Sequence, residues 1–351
     1  MKVPAEALGA CSIPLGRYER IVLGHGSGGR LGADLLKQVF LPELGNEVLS
    51  RLEDQATVPF GRARMAFTTD AFVVRPPFFP GGDIGRLAVC GTVNDLAVGG
   101  AKPLFLSAAF ILEEGFPVAD LRRIVASLRE TCAEAGVTMI AGDTKVVERG
   151  KADQIFITTA GIGLVPEGRS LSIGAARPGD QIILSGTVGD HGMAVMSVRE
   201  GLEFETELKS DCAPLHDLAR VMLEACPDIR CMRDPTRGGL AATLNELAEA
   251  SGVGVRIDER RIPVRSEVTA ACEILGFDPV HVANEGKLVA VVPPGDAPTL
   301  LGAMRAHPLG RDAAVIGNVV TDRPGIVSMR SIAGGERIVP LLAGEQLPRI
   351  C

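Results

Sequence analysis

Short apolar runs alternate with longer helical patterns along most of the chain, a rhythm that predicts strands interleaved with helices. Tyr18–Leu23 (YERIVL) reads as a strand, and a helical pattern follows through Phe40. Met65–Thr69 is a strand with Asp70 at its end. Phe72–Phe79 is apolar but proline-rich, which predicts a loop or edge. Leu87–Val98 (LAVCGTVNDLAV) is apolar nearly all round and so predicts a buried helix. Asp83 is placed to cap its start, and Gly99-Gly100-Ala101-Lys102-Pro103 stops it. Strands follow at Leu104–Leu112, Val137–Ala141 and Ile155–Gly163, with a helix over Val118–Ala135.

A polar Gly/Pro-containing linker, 167–180, separates this set from a second one. The second set has strands at Gln181–Ser185, Val253–Ile257, Leu288–Val292, Ala314–Val320 and Arg337–Leu342. Its helices are expected at Met193–Arg199, Leu215–Ala225, Ala241–Ala250, Val268–Leu275 and 297–306. The predicted fold class is α/β (α+β): an arm over 1–49, two mixed α/β domains over 50–166 and 178–343, and a mobile tail over 344–351.

Composition narrows the function. A net charge of −7 with no Trp and one Tyr argues against a nucleic-acid surface and against an anionic membrane. No apolar stretch has the length of a signal-peptide core or a membrane span, so the expected compartment is the cytoplasm. The eight cysteines lack any C-x-x-C spacing and read as reduced thiols. Cys212, Cys226 and Cys231 lie nearest one another, at a spacing wrong for a zinc finger.

The acids carry the chemical signal. Asp54, Asp70 and Asp143 are expected at strand-to-loop junctions, Asp95 on the buried helix, and Asp234 before a Gly-Gly helix start. A lone Asp at such a place is usually a turn or cap residue. Five beside glycines suggest hard oxygen ligands for Mg²⁺ on a nucleotide. Lys145, in Gly-Asp-Thr-Lys, is the candidate phosphate counter-charge, although a solvated lysine is the bland alternative. Glu285, at a predicted turn, is exposed filler or a general base. His25 and His191 sit in glycine-rich loops where each could contact phosphate, but neither has a Ser or Cys partner at a telling position, and a loop histidine facing solvent is the better reading. Gly24–Arg30 formally matches G-x-G-x-x-G, but no buried strand and acid follow as a dinucleotide site requires. A loop that can lie over phosphates is the better reading, with a plain connection as the alternative. No G-x-x-x-x-G-K-[ST] is present, which excludes a P-loop. The chain ends Pro348-Arg349-Ile350-Cys351, a thiol at a position that is usually frayed.

Thr69-Asp70, Cys90–Ala97 with Gly100–Pro103, and Ala141–Thr144 together resemble the ATP-binding family of aminoimidazole ribonucleotide synthetase, thiamine-phosphate kinase and selenophosphate synthetase. Within it, Gly24–Arg30, Glu53–Ala56, Arg233–Gly239 and the terminal Pro-Arg-Ile-Cys resemble the HypE family of hydrogenase maturation factors. The resemblance spans nearly the whole chain. It implies a homodimer whose N-terminal sheets join into a β-barrel. It implies ATP in a cleft, contacted by Gly26, Ser27, Gly28, Asn94, Gly142, Thr144, Lys145 and Arg233, with Mg²⁺ on Asp54, Asp70, Asp95, Asp143 and Asp234. It further implies that a carbamoyltransferase, HypF, loads a carbamoyl group onto Cys351. ATP then drives its dehydration to a thiocyanate, with Lys145 and Glu285 as catalytic residues, and the cyanide passes to iron on a HypC–HypD complex. A small-molecule kinase of the same superfamily, such as thiamine-phosphate kinase, and a nucleotide-binding scaffold are the alternatives.

Overall fold

A computed structural model describes residues 21–26, 29–201, 208–342, 347 and 349–351. The strand expected at 18–23 is not formed over its described part. Residues 18–20 lie outside the described residues, and Ile21 and Val22 are exposed. The Val22 N–H donates to Nδ1 of His25 at 3.0 Å, so the segment satisfies itself locally and turns. Helix α1 (Arg30–Leu35) runs through one π turn, Leu36–Phe40, into α2 (Leu41–Leu44). The arm lies against the C-terminal half: Arg30 N–H donates to Leu342 O at 2.8 Å, and Lys37 pairs with Glu249 at 2.7 Å.

The N-terminal domain comprises β1 (Ala56–Phe60), β2 (Ala63–Phe72), the two-residue strands β3 (Phe78–Phe79) and β4 (Gly82–Asp83), α3 (Ile84–Val98), β5 (Lys102–Glu113), α4 (Val118–Ala135), β6 (Thr138–Val147) and β7 (Ile155–Val165). Five strands form one open sheet in the order β1-β2-β7-β5-β6, antiparallel except for β5 with β6. Within one chain this is not a closed barrel. Two expectations change here. Asp70 lies inside β2 rather than at its end. Strand β6 continues through Gly142, Asp143, Thr144 and Lys145, because it stays in register with β5 as far as Glu113 opposite Val147.

Helix α3 is the spine of the domain. Asp83 caps it as expected, accepting from Gly85 N–H at 2.8 Å and Arg86 N–H at 3.0 Å. Ile84, Leu87 and Leu96 are fully buried, each stabilising by about 1.5–3 kcal/mol relative to exposure. The helix sits so close to β7 that a Cβ on Gly161 would lie 2.6 Å from the Thr92 methyl carbon.

The C-terminal domain comprises β8 (Gln181–Leu184), α5 (Asp190–Glu200), α6 (His216–Ala225), β9 (Cys231–Arg233), α7 (Gly239–Ser251), β10 (Gly254–Asp258), α8 (Ser266–Leu275), β11 (Val289–Val292), α9 (Ala297–Ala306), β12 (Ala314–Val320), β13 (Val327–Arg330) and β14 (Glu336–Ile338). Seven strands form a sheet in the order β14-β13-β10-β12-β8-β11-β9. Ile182, Leu184, Val289 and Val291 pack on α7, while Ile183, Ala290 and Val292 pack on α6 and α9. Both faces of β8 and β11 are therefore covered, which is why these strands read as continuous apolar runs. The short β9 and β13 carry no pattern long enough to be predicted.

The domains share core. Ala97 and Val98 at the end of α3 join the α6/α9 cluster, and α5 and α8 supply Met193, Met196, Val268 and Cys272 to the cluster around Phe72 and Leu87. Cys212, Cys226 and Cys231 fall in three different clusters and do not converge. Asp83→Ala removes both cap bonds and is expected to cost about 1 kcal/mol in chemical denaturation. An unchanged midpoint would show that the cap is dispensable.

Candidate active site

The site forms where the loop before β1, the open side of α3 and the loop after β9 meet. These bring Asp54, Asp95 and Asp234 together, with carboxylate oxygens all within 4.8 Å of one another. Asp95 is the one residue between Gly91 and Val98 that is not fully buried, so it faces the cleft. Its Oδ2 lies 2.7 Å from Thr68 Oγ1, which also lies 3.0 Å from the Asp54 carbonyl and shares its proton between them. Arg233 reaches Asp54 and Glu246, each at 2.9 Å, and donates to Leu52 O at 3.3 Å. Its role in this structure is to hold Asp54 in place.

The three acids resist ionisation together. Burial, then the neighbouring charges of Asp70, Asp234 and Asp54, push Asp95 well above the usual carboxylate range. Burial does the same to Asp54 against the pull of Arg233, and lifts Asp234 to about 6. Asp70, beside them on β2, is also raised by burial, opposed by Arg237. A cluster of hard oxygen donors under mutual repulsion fits a divalent cation of the Mg²⁺ type.

The remaining expected residues divide. Asp143 and Lys145 are exposed on the edge strand β6 and pair with each other at 2.8 Å, and this chain does not bring them to the triad. Lysine beside it, with the Thr144 N–H bond, holds Asp143 below the usual range. Gly142 and Thr144 share that edge. The Asn94 amide is fully used elsewhere. It donates to Ala213 O and Glu285 O, both at 3.1 Å, and accepts from Leu215 N–H at 2.7 Å. Asn94 thus braces the backbone of Glu285 against α3 instead of facing a ligand. Gly26 is exposed and accepts from Arg237 at 3.3 Å, while Ser27 and Gly28 lie outside the described residues.

Glu285 is buried, not turn filler. Its N–H donates to Asp211 Oδ1 at 3.1 Å, and Asp211 is held by Lys287 at 3.0 Å. Gly286 permits this approach, since a Cβ there would lie 1.8 Å from Asp211 O. Burial first, then Cys212, Asp234, Asp211 and Asp70, push the Glu285 carboxyl well above its usual range. Among the described residues its Oε1 has no hydrogen-bond partner.

The tail occupies the same cleft. Val73 N–H donates to Cys351 O at 3.0 Å and Arg75 N–H to Arg349 O at 3.2 Å, so the last residues add to the end of β2 like a short strand. Ile350 is buried among Phe79, Met193 and Met196. Arg349 donates to Val73 O at 3.0 Å and pairs with Asp153. The expected mobile end is therefore seated in this conformation. The Cys351 thiol faces Glu285, Arg237 and Asp70, and burial, opposed by Arg237, pushes it up to about 12.

Three residues around the site carried no distinguishing signal in the sequence. Arg237 is one of several loop cations, and only the fold shows that it stands beside the thiol and Asp70. Lys287, which nothing in the sequence marked, is buried between Asp211 and Asp190. His191 was expected to face solvent and is fully buried; His25 is buried too.

The repulsion has a signed consequence. A carboxyl raised in the folded state costs nothing below its unfolded pKa and its full penalty above its folded pKa. Holding Asp234 ionised at pH 8 without metal costs on the order of 3 kcal/mol. In chelator, Asp234→Asn is therefore expected to match wild type in stability near pH 4. It should gain on wild type as pH rises through 6, and Mg²⁺ should stabilise only wild type. A constant difference across pH would remove Asp234 from the coupled cluster.

The chain matches the AIR synthase related protein N-terminal domain over residues 52–165 and the C-terminal domain of the same family over 177–329. It is 58% identical to carbamoyl dehydratase HypE of Cupriavidus necator over 334 residues, 95% of each chain. A solved HypE–HypF complex matches with a TM-score of 0.83 at 51% identity, covering 88% of this chain and 99% of that one. A HypE structure in complex with ATP matches with a TM-score of 0.80 at 45% identity, covering 95% and 100%. The chain belongs to the HypE family of carbamoyl dehydratases, built on the two AIR synthase related domains.

Proposed function

We propose that this protein uses ATP to dehydrate a carbamoyl group carried on its own Cys351, giving a protein thiocyanate that supplies cyanide for hydrogenase iron. The observation that carries this reading is the seating of Arg349–Cys351, which sets the thiol beside Arg237 and Glu285 next to the aspartate triad. The ATP-bound and HypF-bound relatives support ATP as co-substrate and HypF as the loading partner. A HypC–HypD complex is the proposed acceptor.

The carbamoyl oxygen attacks the γ-phosphorus of ATP, ADP leaves, and one N–H proton is lost. The second N–H proton is then removed, C≡N forms, the C–O bond breaks and phosphate departs. An amide oxygen is a poor leaving group, and phosphorylation is what makes it a good one. Asp54, Asp95 and Asp234 would hold Mg²⁺, which supplies charge neutralisation at the phosphates. Arg237 is placed to favour negative charge at the carbamoyl oxygen. Glu285, with a raised pKa and an unpartnered oxygen, is placed to take the N–H proton. The seated tail, half-buried at Arg349 and Cys351 and buried at Ile350, shields the intermediate from water.

A second copy completes the assembly in this reading. One face of the N-terminal sheet is covered by α3 and α4. The other exposes Phe67, Phe105, Ile111 and Leu164, with Phe60, Ile140 and Val146 exposed on the outer strands. Two such faces would close into a barrel. Asp143, Thr144 and Lys145 would then act from the partner's β6, which accounts for their distance from the triad here.

Intact mass gives the first test. Carbamoylated protein should lose the mass of one water on adding Mg·ATP, and Cys351→Ala should neither load nor turn over. Phosphoryl transfer to a free acceptor that survives Cys351→Ala would instead make the protein a small-molecule kinase. For the assembly, native mass should give a dimer, and Phe105→Asp should give monomer with at least a tenfold loss of dehydration. A fully active monomer would overturn it.

A further inference from the structure

The tail is read through its backbone. Arg349 O accepts from Arg75 N–H and from the Arg199 guanidinium at 2.7 Å, and Cys351 O accepts from Val73 N–H. These bonds leave the carbonyl between them, on Ile350, facing the other way. It meets Nε2 of His191 at 2.8 Å. A bond to a carbonyl requires Nε2 to carry the proton, so in the neutral ring Nδ1 is bare. Ser210 Oγ lies 2.8 Å from Nδ1 and itself accepts from Cys212 N–H at 3.1 Å. With Nδ1 bare, the Ser210 hydroxyl is the donor in that pair, so Ser210 supports the tautomer that grips the tail.

The ring is also fixed in direction. The Phe79 ring meets it edge to face at 5.3 Å, and no part of His191 is open to solvent. A buried N–H left unpaired is costly, so departure of the tail strands this donor.

We propose that His191 is a positioning residue for the loaded tail: its Nε2–H holds the Ile350 carbonyl and thereby sets where the Cys351 side chain enters the cleft, with Ser210 supporting the tautomer. The inference rests on the proposed role of Cys351 as carrier. It adds that the reactive geometry is set one residue before the thiol, by backbone recognition. Among the described residues, the hydrogen bond to that carbonyl comes from His191 and not from the triad.

Two near-isosteric variants separate position from packing. Gln at 191 presents an amide donor where Nε2 was, and Asn presents one nearer Nδ1. Two readouts on the full-length protein are used: the alkylation rate of Cys351 by iodoacetamide, resolved on the C-terminal peptide by mass spectrometry, and the single-turnover rate of ATP-driven water loss from carbamoylated protein. His191→Asn should raise Cys351 alkylation roughly tenfold and slow water loss roughly tenfold, the loss of one buried hydrogen bond. His191→Gln should stay near wild type in both, and loading by HypF should not fall in either. Equal behaviour of Asn and Gln, whether both normal or both defective, would overturn the proposal. If His191→Asn does not fold, Ser210→Ala tests the same proposal: a two- to threefold rise in alkylation supports it and no change overturns it. Absence of water loss in wild type would count against the carbamoyl reading alone, because alkylation still judges His191.

Discussion

Three carboxylates held within 4.8 Å of one another are the condition on which the rest of this structure turns. Left alone they would repel and separate, so the fold must supply the force that keeps them together. Much of it comes from α3, whose apolar surface is buried against the N-terminal sheet on one side and the α6/α9 cluster on the other. Asp95 cannot retreat from Asp54 and Asp234 without dragging that helix out of two cores. Arg233 contributes the opposing charge, bridging Asp54 to Glu246. The repulsion of like charges is thus held by the packing of two domains, and a divalent cation, as proposed for this site, would relieve it.

Asn94 shows how the same helix serves both ends of the cleft. One turn face presents Asp95 to the triad, and the adjacent residue clamps Ala213, Leu215 and Glu285. The distance between the acids and the candidate base is therefore fixed by neighbours on one helix rather than by two independent loops. Lys287 and Asp211 complete the support from behind. Such a rigid bed suits a reaction in which positioning and electrostatics do most of the catalysis.

What was legible in the sequence follows from range. The all-round apolar run of α3, its Asp83 cap and the Pro117 start of α4 are local signals, and the structure has them where expected. Asp54, Asp95 and Asp234 stood out by residue type, while their convergence across 180 positions is a property of the fold. Asn94 and Arg233 were expected as nucleotide contacts because the family resemblance implied it. Their bonds go to the protein because the helix and β9 present them inward. Asp143 and Lys145 illustrate the opposite limit: a strand end was inferred from Gly142, yet pairing with β5 carries the strand past it. His191 and Arg237 escaped because a lone histidine or arginine among glycines has no periodicity to mark it as buried.

The seated thiol constrains the order of events. A thiol pushed up to about 12 is almost wholly protonated at neutral pH, and the thiolate is the nucleophile. In the proposed cycle docked Cys351 is thus a poor acceptor for a carbamoyl group, and loading takes place on an undocked tail. At neutral pH the free thiol docks in its neutral form, so charge burial itself favours neither the empty nor the loaded tail. What the pocket does is withhold the thiolate while the tail is seated. In the proposed cycle the two steps are thereby separated in space: Cys351 acts as a nucleophile outside the cleft and as a carrier inside it.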